Sequence, residues 1–364
     1  MRFLVGADLH LGNHKRHGGA VQSGLNERAR DTLHVLTRAI ELANRQHATL
    51  VIAGDALDES RPTPGILAAF QKALAKAELR PVLLAGNHEW GSATDHALRP
   101  LWSVADVVET LSLFGGLKPG TGPMLAWPWW PGRERFDVNR FTLVGGAPAV
   151  VVMHTGVIHD GTPPYLVSEK VPTADEVFDA LDRLGASVAI TGDWHDHKVL
   201  ERLGSRGQDL TIVQCGALVP TGFDNPGLDY GYMVLIDPAR PLELELHQLP
   251  GPRFLQPVGP GEVLGLKDTF ESWTRLYVEA LSPEVAAAAD TLALEPEAQR
   301  LGRAVKVDRL PVSITDRAAL LESVGTSSLE VVVRAWAKAN APDDPDLADE
   351  LLRRLALAKD KIAV

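Results

Sequence analysis

A single cysteine, Cys215, stands among 364 residues, which excludes an internal disulfide and suits a reducing compartment. No apolar run approaches the roughly 18 residues that a membrane span requires. The opening MRFLVGADLH reaches charged residues too soon for a secretory signal. These absences lead to the expectation of a cytoplasmic protein with no membrane contact. A basic excess is missing as well: 36 Lys and Arg stand against 47 Asp and Glu, a formal charge of −11. That balance excludes a wholly basic nucleic-acid coat. It leaves an anion-binding site open, because bound divalent metals reverse the local sign. Repeats and low-complexity tracts are absent too. With 45% hydrophobic and 23% charged residues, the chain can build one large core and a smaller one.

What is present is one design used repeatedly. RFLVGADLH (2–10), TLVIAGDALD (49–58), PVLLAGNHE (81–89), AVVVMHTG (149–156) and SVAITGDWH (187–195) are each a branched apolar run that stops at a polar cluster. Such runs describe strands buried on both faces. Helical spacing lies between them: Leu33, Leu36, Ile40 and Ala43 within 27–45, and Ile66, Phe70, Leu74 and Ala77 within 64–79. A third helix, 173–184, opens with the capping-box pair Thr173 and Glu176 and stops before Gly185. Strands alternating with helices imply a layered α/β domain whose ligand site lies beyond the carboxyl ends of the strands. The pattern changes at LPGPRFLQPVGPG (249–261), whose four prolines and three glycines predict a linker. RLYVEAL (275–281), an Ala-rich helical stretch (283–300) and RAVKVDRL (303–310) then predict a small β-α-β unit. Helices beginning at Ser327 and after Asp344-Pro345 are expected to close the chain.

The strand ends supply Asp8, His10, Asp55, Asn87, His88, His154, Asp193 and His195. One aspartate after a strand is commonly a helix cap, and one histidine a hydrogen-bonded surface residue. Such groups at five successive strand ends argue for a metal centre. Carboxylate, imidazole and amide ligands without thiolates suit manganese, magnesium, iron or zinc. Their number exceeds one tetrahedral site and fits two ions roughly 3.5–4 Å apart.

These residues resemble a known family. Asp8-Leu9-His10, Gly54-Asp55-Ala56-Leu57-Asp58, Gly86-Asn87-His88-Glu89, His154 and Gly192-Asp193-Trp194-His195 are similar, in order and placement, to the five motifs of the calcineurin-like metallophosphoesterases. ADLHLG, GDALD, AGNHE and QCGALVPTGFDNPGLDYGYMVLID (214–237) most resemble the SbcD-type DNA repair exonucleases. The resemblance implies an α/β fold, a layered β-sandwich flanked by helices. It also implies a catalytic domain over 1–250, a linker over 251–262, and a capping-like unit with terminal helices over 263–364. Its implied activity is that of a two-metal phosphodiesterase and exonuclease in DNA repair, most simply with manganese. Asp8, His10 and His195 would hold one ion, Asp55 would bridge, and Asn87 and His154 would hold the second. His88 would protonate or polarise the leaving oxygen. DNA, an SbcC-type coiled-coil ATPase and a second copy of the chain are the implied partners.

Several readings stay open. Asp58 either orients His88 or a ligand, or caps the 64–79 helix. TGDWHDH admits two registers, Asp193 with His195 or His195 with His197; placing the turn at Gly192 favours the first. Asp193 would then stand where the family has histidine, bringing a harder ligand to the second ion. His14, Lys15, Arg16 and His17 are a solvated loop or phosphate contacts. In WPWWPGRERF (127–136), Trp129 or Trp130 either stack bases, with Arg133 and Arg135 on phosphates, or pack into the fold. A small phosphodiester or nucleotide as substrate and a non-enzymatic binding subunit are the competing functions.

Overall fold

The computed structural model describes residues 1–309 apart from 16, 115–123, 133–147, 164–165, 224, 258–261, 264, 281–284 and 286–298. The helices expected after Ser327, most of the Ala-rich stretch, Arg133 and Arg135 lie outside the described residues.

Two six-stranded sheets face each other. Edge to edge, the first runs Glu245–Gln248, Tyr232–Ile236, Arg2–Gly6, Ala48–Ala53, Val82–Leu84 and Asp106–Val108. The second runs Lys198–Leu203, Asp209–Gln214, Val188–Gly192, Val150–His154, Met124–Trp127 and Ser112–Phe114. The central strands of each are parallel, so their carboxyl ends share one edge.

Alternation along each strand divides the core. Phe3, Val5, Val51, Ala53, Val150, Val152, Val188 and Ile190 meet between the sheets. Their neighbours Leu4, Leu50 and Ile52 pack outward against helices Glu27–Arg45 and Pro64–Leu74. Val151, Met153 and Ala189 pack outward against helix Ala174–Leu184. Because every residue in these strands has a neighbour on its own side, the runs read as continuously apolar. The result is the layered α/β sandwich expected. The capping box forms as predicted, with Glu176 N–H donating to the Thr173 hydroxyl and Thr173 N–H to the Glu176 carboxylate. Gly185 closes that helix at φ 72°. The second helix ends at Leu74, short of residue 79. Met124–Trp127 is only four residues long and Asp209–Gln214 mixes Asp209, Thr211 and Gln214 with its apolar residues, so neither offers the continuous run that marks the other strands.

A third sheet orders Gly251–Leu255, Trp273–Ala280 and Ala304–Arg309, all parallel. The last two strands match the predicted β-α-β unit. Gly251–Leu255, within the stretch read as a linker, instead forms a buried strand of this sheet. Sequence reasoning took its proline and glycines as punctuation, whereas Gly251 is needed for space: a Cβ there would stand 2.8 Å from a Val35 methyl. The unit docks on helix Glu27–Arg45 through Arg275 to Asp31 at 2.6 Å and Lys306 to Glu27 at 2.7 Å.

Arg253 is fully buried and donates to the carbonyls of Tyr230, Leu249, Pro252 and Leu228. Burial pulls its guanidinium down to about 10, the neighbouring tyrosines opposing. Arg253→Met would remove these bonds; Leu228 and Tyr230 keep Gln248 as a donor, while each carbonyl left unpaired costs roughly 1–3 kcal/mol. We expect a fall of several degrees in the thermal midpoint. Arg240→Ala, which breaks an ion pair with both side chains 64% exposed, should leave that midpoint unchanged in the same scan.

Candidate metal centre

The candidate residues sit at or just past the carboxyl ends of the central strands. Asp8 and His10 follow Arg2–Gly6, Asp55 follows Ala48–Ala53, and Asn87 and His88 follow Val82–Leu84. His154 ends its strand, and Asp193 and His195 follow Val188–Gly192. Asp8 (φ 54°), His10 (46°), Asp55 (47°) and Asp193 (86°) occupy the left-handed region. A residue with a Cβ adopts it at a penalty of about 1–2 kcal/mol. The first two loops are laced together, with His10 N–H donating to Asp55 O at 2.9 Å and Asp58 N–H to Leu11 O at 3.2 Å. Asp193 N–H donates to the Asp8 carboxylate at 3.0 Å, joining the two sheets. The turn expected at Gly192 therefore falls on Asp193. Gly192 is required instead by closeness, since a Cβ there would lie 2.6 Å from the Ala53 carbonyl oxygen.

Three groups bring their ligand atoms within 4.8 Å of one another: Asp8, His10 and His195; Asp8, Asp55 and His154; and His10, Asp55 and His88. Their hydrogen bonds fix the tautomers. His195 Nδ1–H donates to Asn225 Oδ1 at 2.9 Å, which leaves its Nε2 a lone pair. His10 Nδ1 faces Asp58 Oδ1 at 3.5 Å, on the side of the ring away from His195. The two Nε2 atoms stand 3.2 Å apart. His154 Nδ1–H donates to Ala53 O at 2.8 Å, and its Nε2 faces Asn87 Oδ1 at 2.9 Å and Asp55 Oδ1 at 3.4 Å. Carboxylate, amide and imidazole atoms converge at two neighbouring places, and this mixed oxygen and nitrogen set fits divalent cations.

The remaining residues separate clearly. Asp193 Oδ2 accepts from Gly156 N–H at 3.1 Å, and Oδ1 lies 3.8 Å from His154 Nε2. His197 turns away, stacked on Tyr232 with ring centres 4.0 Å apart and Nδ1 on the Cys215 carbonyl. Of the two registers, the geometry brings Asp193 and His195 to the site. Asp58 does not cap the second helix, whose cap is Thr63. Its carboxylate sits between His10 Nδ1 and His14 Nδ1, 3.3 Å from the latter, and its carbonyl accepts from His88 Nδ1–H at 2.8 Å. His88, with its side chain 41% exposed, presents Nε2 to Asp55 at 3.9 Å.

The site is electrostatically tense. Burial lifts the Asp8 carboxyl well above its usual range, with Asp55 and Asp193 adding to the rise against His154. Burial also opposes ionisation of Asp55, yet the surrounding imidazoles, His154 foremost, hold it below the ordinary value. Burial pulls His154 down, but Asp55, then Asp193 and Asp8, raise it to about 10. Sequence reasoning passed over Glu89, although it closes the quoted AGNHE. Fully buried, it accepts from Leu57 N–H at 2.9 Å and Gly86 N–H at 2.7 Å, tying the loop of Asp55 to that of Asn87. Desolvation, then Asp55, push its carboxyl up to about 7.

Among the weaker signals, His14 packs into the site's wall while His17 meets Phe223, Phe254 and Tyr277. Trp127 is buried, Trp130 packs beside it at 6.0 Å, and the Trp129 carbonyl accepts from Trp90 Nε1–H. These tryptophans brace the end of the second sheet. Among the described residues no helix is long and apolar enough to cross a membrane.

No protein of curated function matches the chain. The family model described as calcineurin-like phosphoesterase matches residues 1–216, more than half of the 364, and spans every strand-end motif that builds the centre. With that match and a donor set fitted to divalent metals, the chain belongs to the calcineurin-like phosphoesterases, a family of metal-dependent hydrolases.

Proposed function

We propose that this protein is a two-metal phosphodiesterase that cleaves DNA, an exonuclease of the SbcD type. The observation that carries the hydrolytic reading is the convergence of the His10 and His195 Nε2 atoms, 3.2 Å apart, beside the shared carboxylates Asp8 and Asp55. Asp8, His10 and His195 would hold one ion and Asn87, His154 and Asp193 a second, with Asp55 within reach of both groups. Manganese is the metal proposed, the added carboxylate of Asp193 favouring it or magnesium over softer ions such as zinc. When bound, such ions polarise the phosphate and acidify water.

The chain's own residues do the rest. With Nδ1 tied to the Asp58 carbonyl, His88 keeps Nε2 directed into the site, where it donates a proton to the leaving oxygen as water replaces it on phosphorus. Asp58 faces His10 Nδ1 on the side of the ring away from His195. Glu89 fixes the spacing between Asp55 and His88. No serine or cysteine nucleophile is required. DNA as substrate is supported by the motifs ADLHLG, GDALD and AGNHE, and by the exposure of His88, which leaves the leaving-group side open to a long chain. On the same resemblance, a homodimer and an SbcC-type ATPase are the proposed partners, and repair in the cytoplasm the proposed setting.

The reading is tested with purified protein and manganese on labelled single- and double-stranded DNA beside bis-(p-nitrophenyl) phosphate. We expect both DNA and the diester to be cleaved, and chelation by EDTA to stop both. Cleavage of the diester alone would favour a small phosphodiester or nucleotide substrate, and turnover of neither would leave a binding subunit.

His88→Ala should lower turnover about 10²- to 10⁴-fold, the usual worth of one general acid, while bound metal stays at the wild-type level. Metal analysis after gel filtration checks this, and loss of an ion along with activity would make His88 a ligand.

Asp193→Ala should weaken the second ion and reduce activity strongly, whereas His197→Ala should change little, its ring being stacked on Tyr232. The reverse pattern in a manganese titration would overturn the assignment of the pair.

A further inference from the structure

The matched family region ends at residue 216, but one contact of the centre comes from beyond it. Asn225 Oδ1 accepts from His195 Nδ1–H at 2.9 Å and from the Thr221 hydroxyl at 2.8 Å. Thr221 N–H points at the same oxygen, at 3.4 Å. Thr221 N–H can only donate, and it places the amide oxygen, rather than the nitrogen, toward the histidine. Asn225 N–H in turn donates to Gly222 O at 3.0 Å.

The short loop that carries Asn225 is held mainly from the third sheet. Gly227 N–H donates to Phe254 O at 2.7 Å. Arg253 and Gln248 both donate to the carbonyls of Leu228 and Tyr230. Phe223 packs edge-on against Phe254, with ring centres 5.1 Å apart. Arg28, from the first helix, lies over Phe254 at 4.8 Å and reaches the Pro220 carbonyl. Asn225 is thus attached to the third sheet through Arg253 and Phe254, and to the sandwich through Gln248 and Arg28.

We propose that Asn225 is a positioning residue for metal binding, which fixes His195 in the tautomer whose Nε2 faces the ion and ties that ligand to the C-terminal unit. The inference rests on the metal-centre reading above. Without an acceptor at Nδ1, the His195 proton can move to Nε2 and block the lone pair, and the ring can rotate away from His10. A neutral amide serves because it accepts without adding a fourth carboxylate to Asp8, Asp55 and Asp193. The expected loss is the one usual for an outer partner of a metal-bound histidine, about 10- to 100-fold in affinity.

Manganese binding to the metal-free full-length protein tests this, by calorimetry and by the paramagnetic signal of the free ion. Asn225→Leu, close in volume but lacking the acceptor, should weaken one of the two ions about 10- to 100-fold. The thermal midpoint of the metal-free protein should stay at the wild-type value. Asn225→Asp, which keeps the acceptor, should restore binding to the wild-type level or tighter. If Asn225→Leu does not fold, Asn225→Ala makes the same comparison. Wild-type affinity in the Leu or Ala variant overturns the proposal. Equal weakening in the Asp variant overturns it as well, since loop packing rather than hydrogen bonding would then be responsible. Failure of the wild-type protein to bind manganese would instead remove the metal-centre reading itself.

Discussion

A methyl group on Gly192 would stand 2.6 Å from both the Ala53 carbonyl oxygen and the Ala7 Cβ, and a side chain on Gly54 would overlap the His154 ring. The two sheets can close to this distance only because both positions are glycine, and every later feature of the centre depends on that closure. One sheet brings Asp8, His10, Asp55, Asn87 and His88. The other brings His154, Asp193 and His195. Two of the three clusters, Asp8 with His10 and His195 and Asp8 with Asp55 and His154, draw their ligands from both sheets. The strand register supplies the inward direction: Val150, Val152 and His154 share a face, as do Val188, Ile190 and Gly192. His154 therefore points at the first sheet for the same reason that the valines before it do.

Closure is followed by strain and charge in the same small volume. Among the described residues, seven other than glycine have positive φ, and four of them, Asp8, His10, Asp55 and Asp193, belong to the centre. At about 1–2 kcal/mol each, such conformations persist only where the surroundings hold them. The holding contacts are visible: Asp193 N–H on the Asp8 carboxylate, His10 N–H on the Asp55 carbonyl, and Glu89 between two loops. Burial drives the Asp8 carboxyl up, with Asp55 and Asp193 adding to the rise, and the same carboxylates raise His154 against its own burial.

What could be read from sequence follows from this physics. The apolar runs of 49–53, 150–153 and 188–191 announced themselves because strands buried on both faces have no polar alternation to hide them. The polar residue after each run was conspicuous for the same reason, and those residues do meet. Thr173 and Glu176 were legible because a capping box is a local event. Contacts between distant segments were not legible. Glu89 sits in a quoted motif, but its two hydrogen bonds run to Leu57 and Gly86, and no periodicity connects those positions. Gly251–Leu255 looked like a linker because proline and glycine mark loops on average. Here the strand pairs on one side only with Trp273–Ala280, leaving its other edge free to hold the Asn225 loop. The turn assigned to Gly192 was displaced by one residue, since sequence cannot tell a glycine needed for space from one needed for positive φ.

The acidic balance of the chain also acquires a local meaning. A formal charge of −11 would oppose approach of a polyanion if it were spread evenly. The centre itself carries three carboxylates, Asp8, Asp55 and Asp193, among neutral ligands. Two divalent ions bring four positive charges against those three negative ones, so the loaded site would be net positive by one. The sign that a phosphoester would meet is then set by the metals rather than by the protein surface. Net charge thus says little about the substrate of such a protein. The spacing of ligands beyond parallel strand ends says a great deal, because it decides where the sign is reversed.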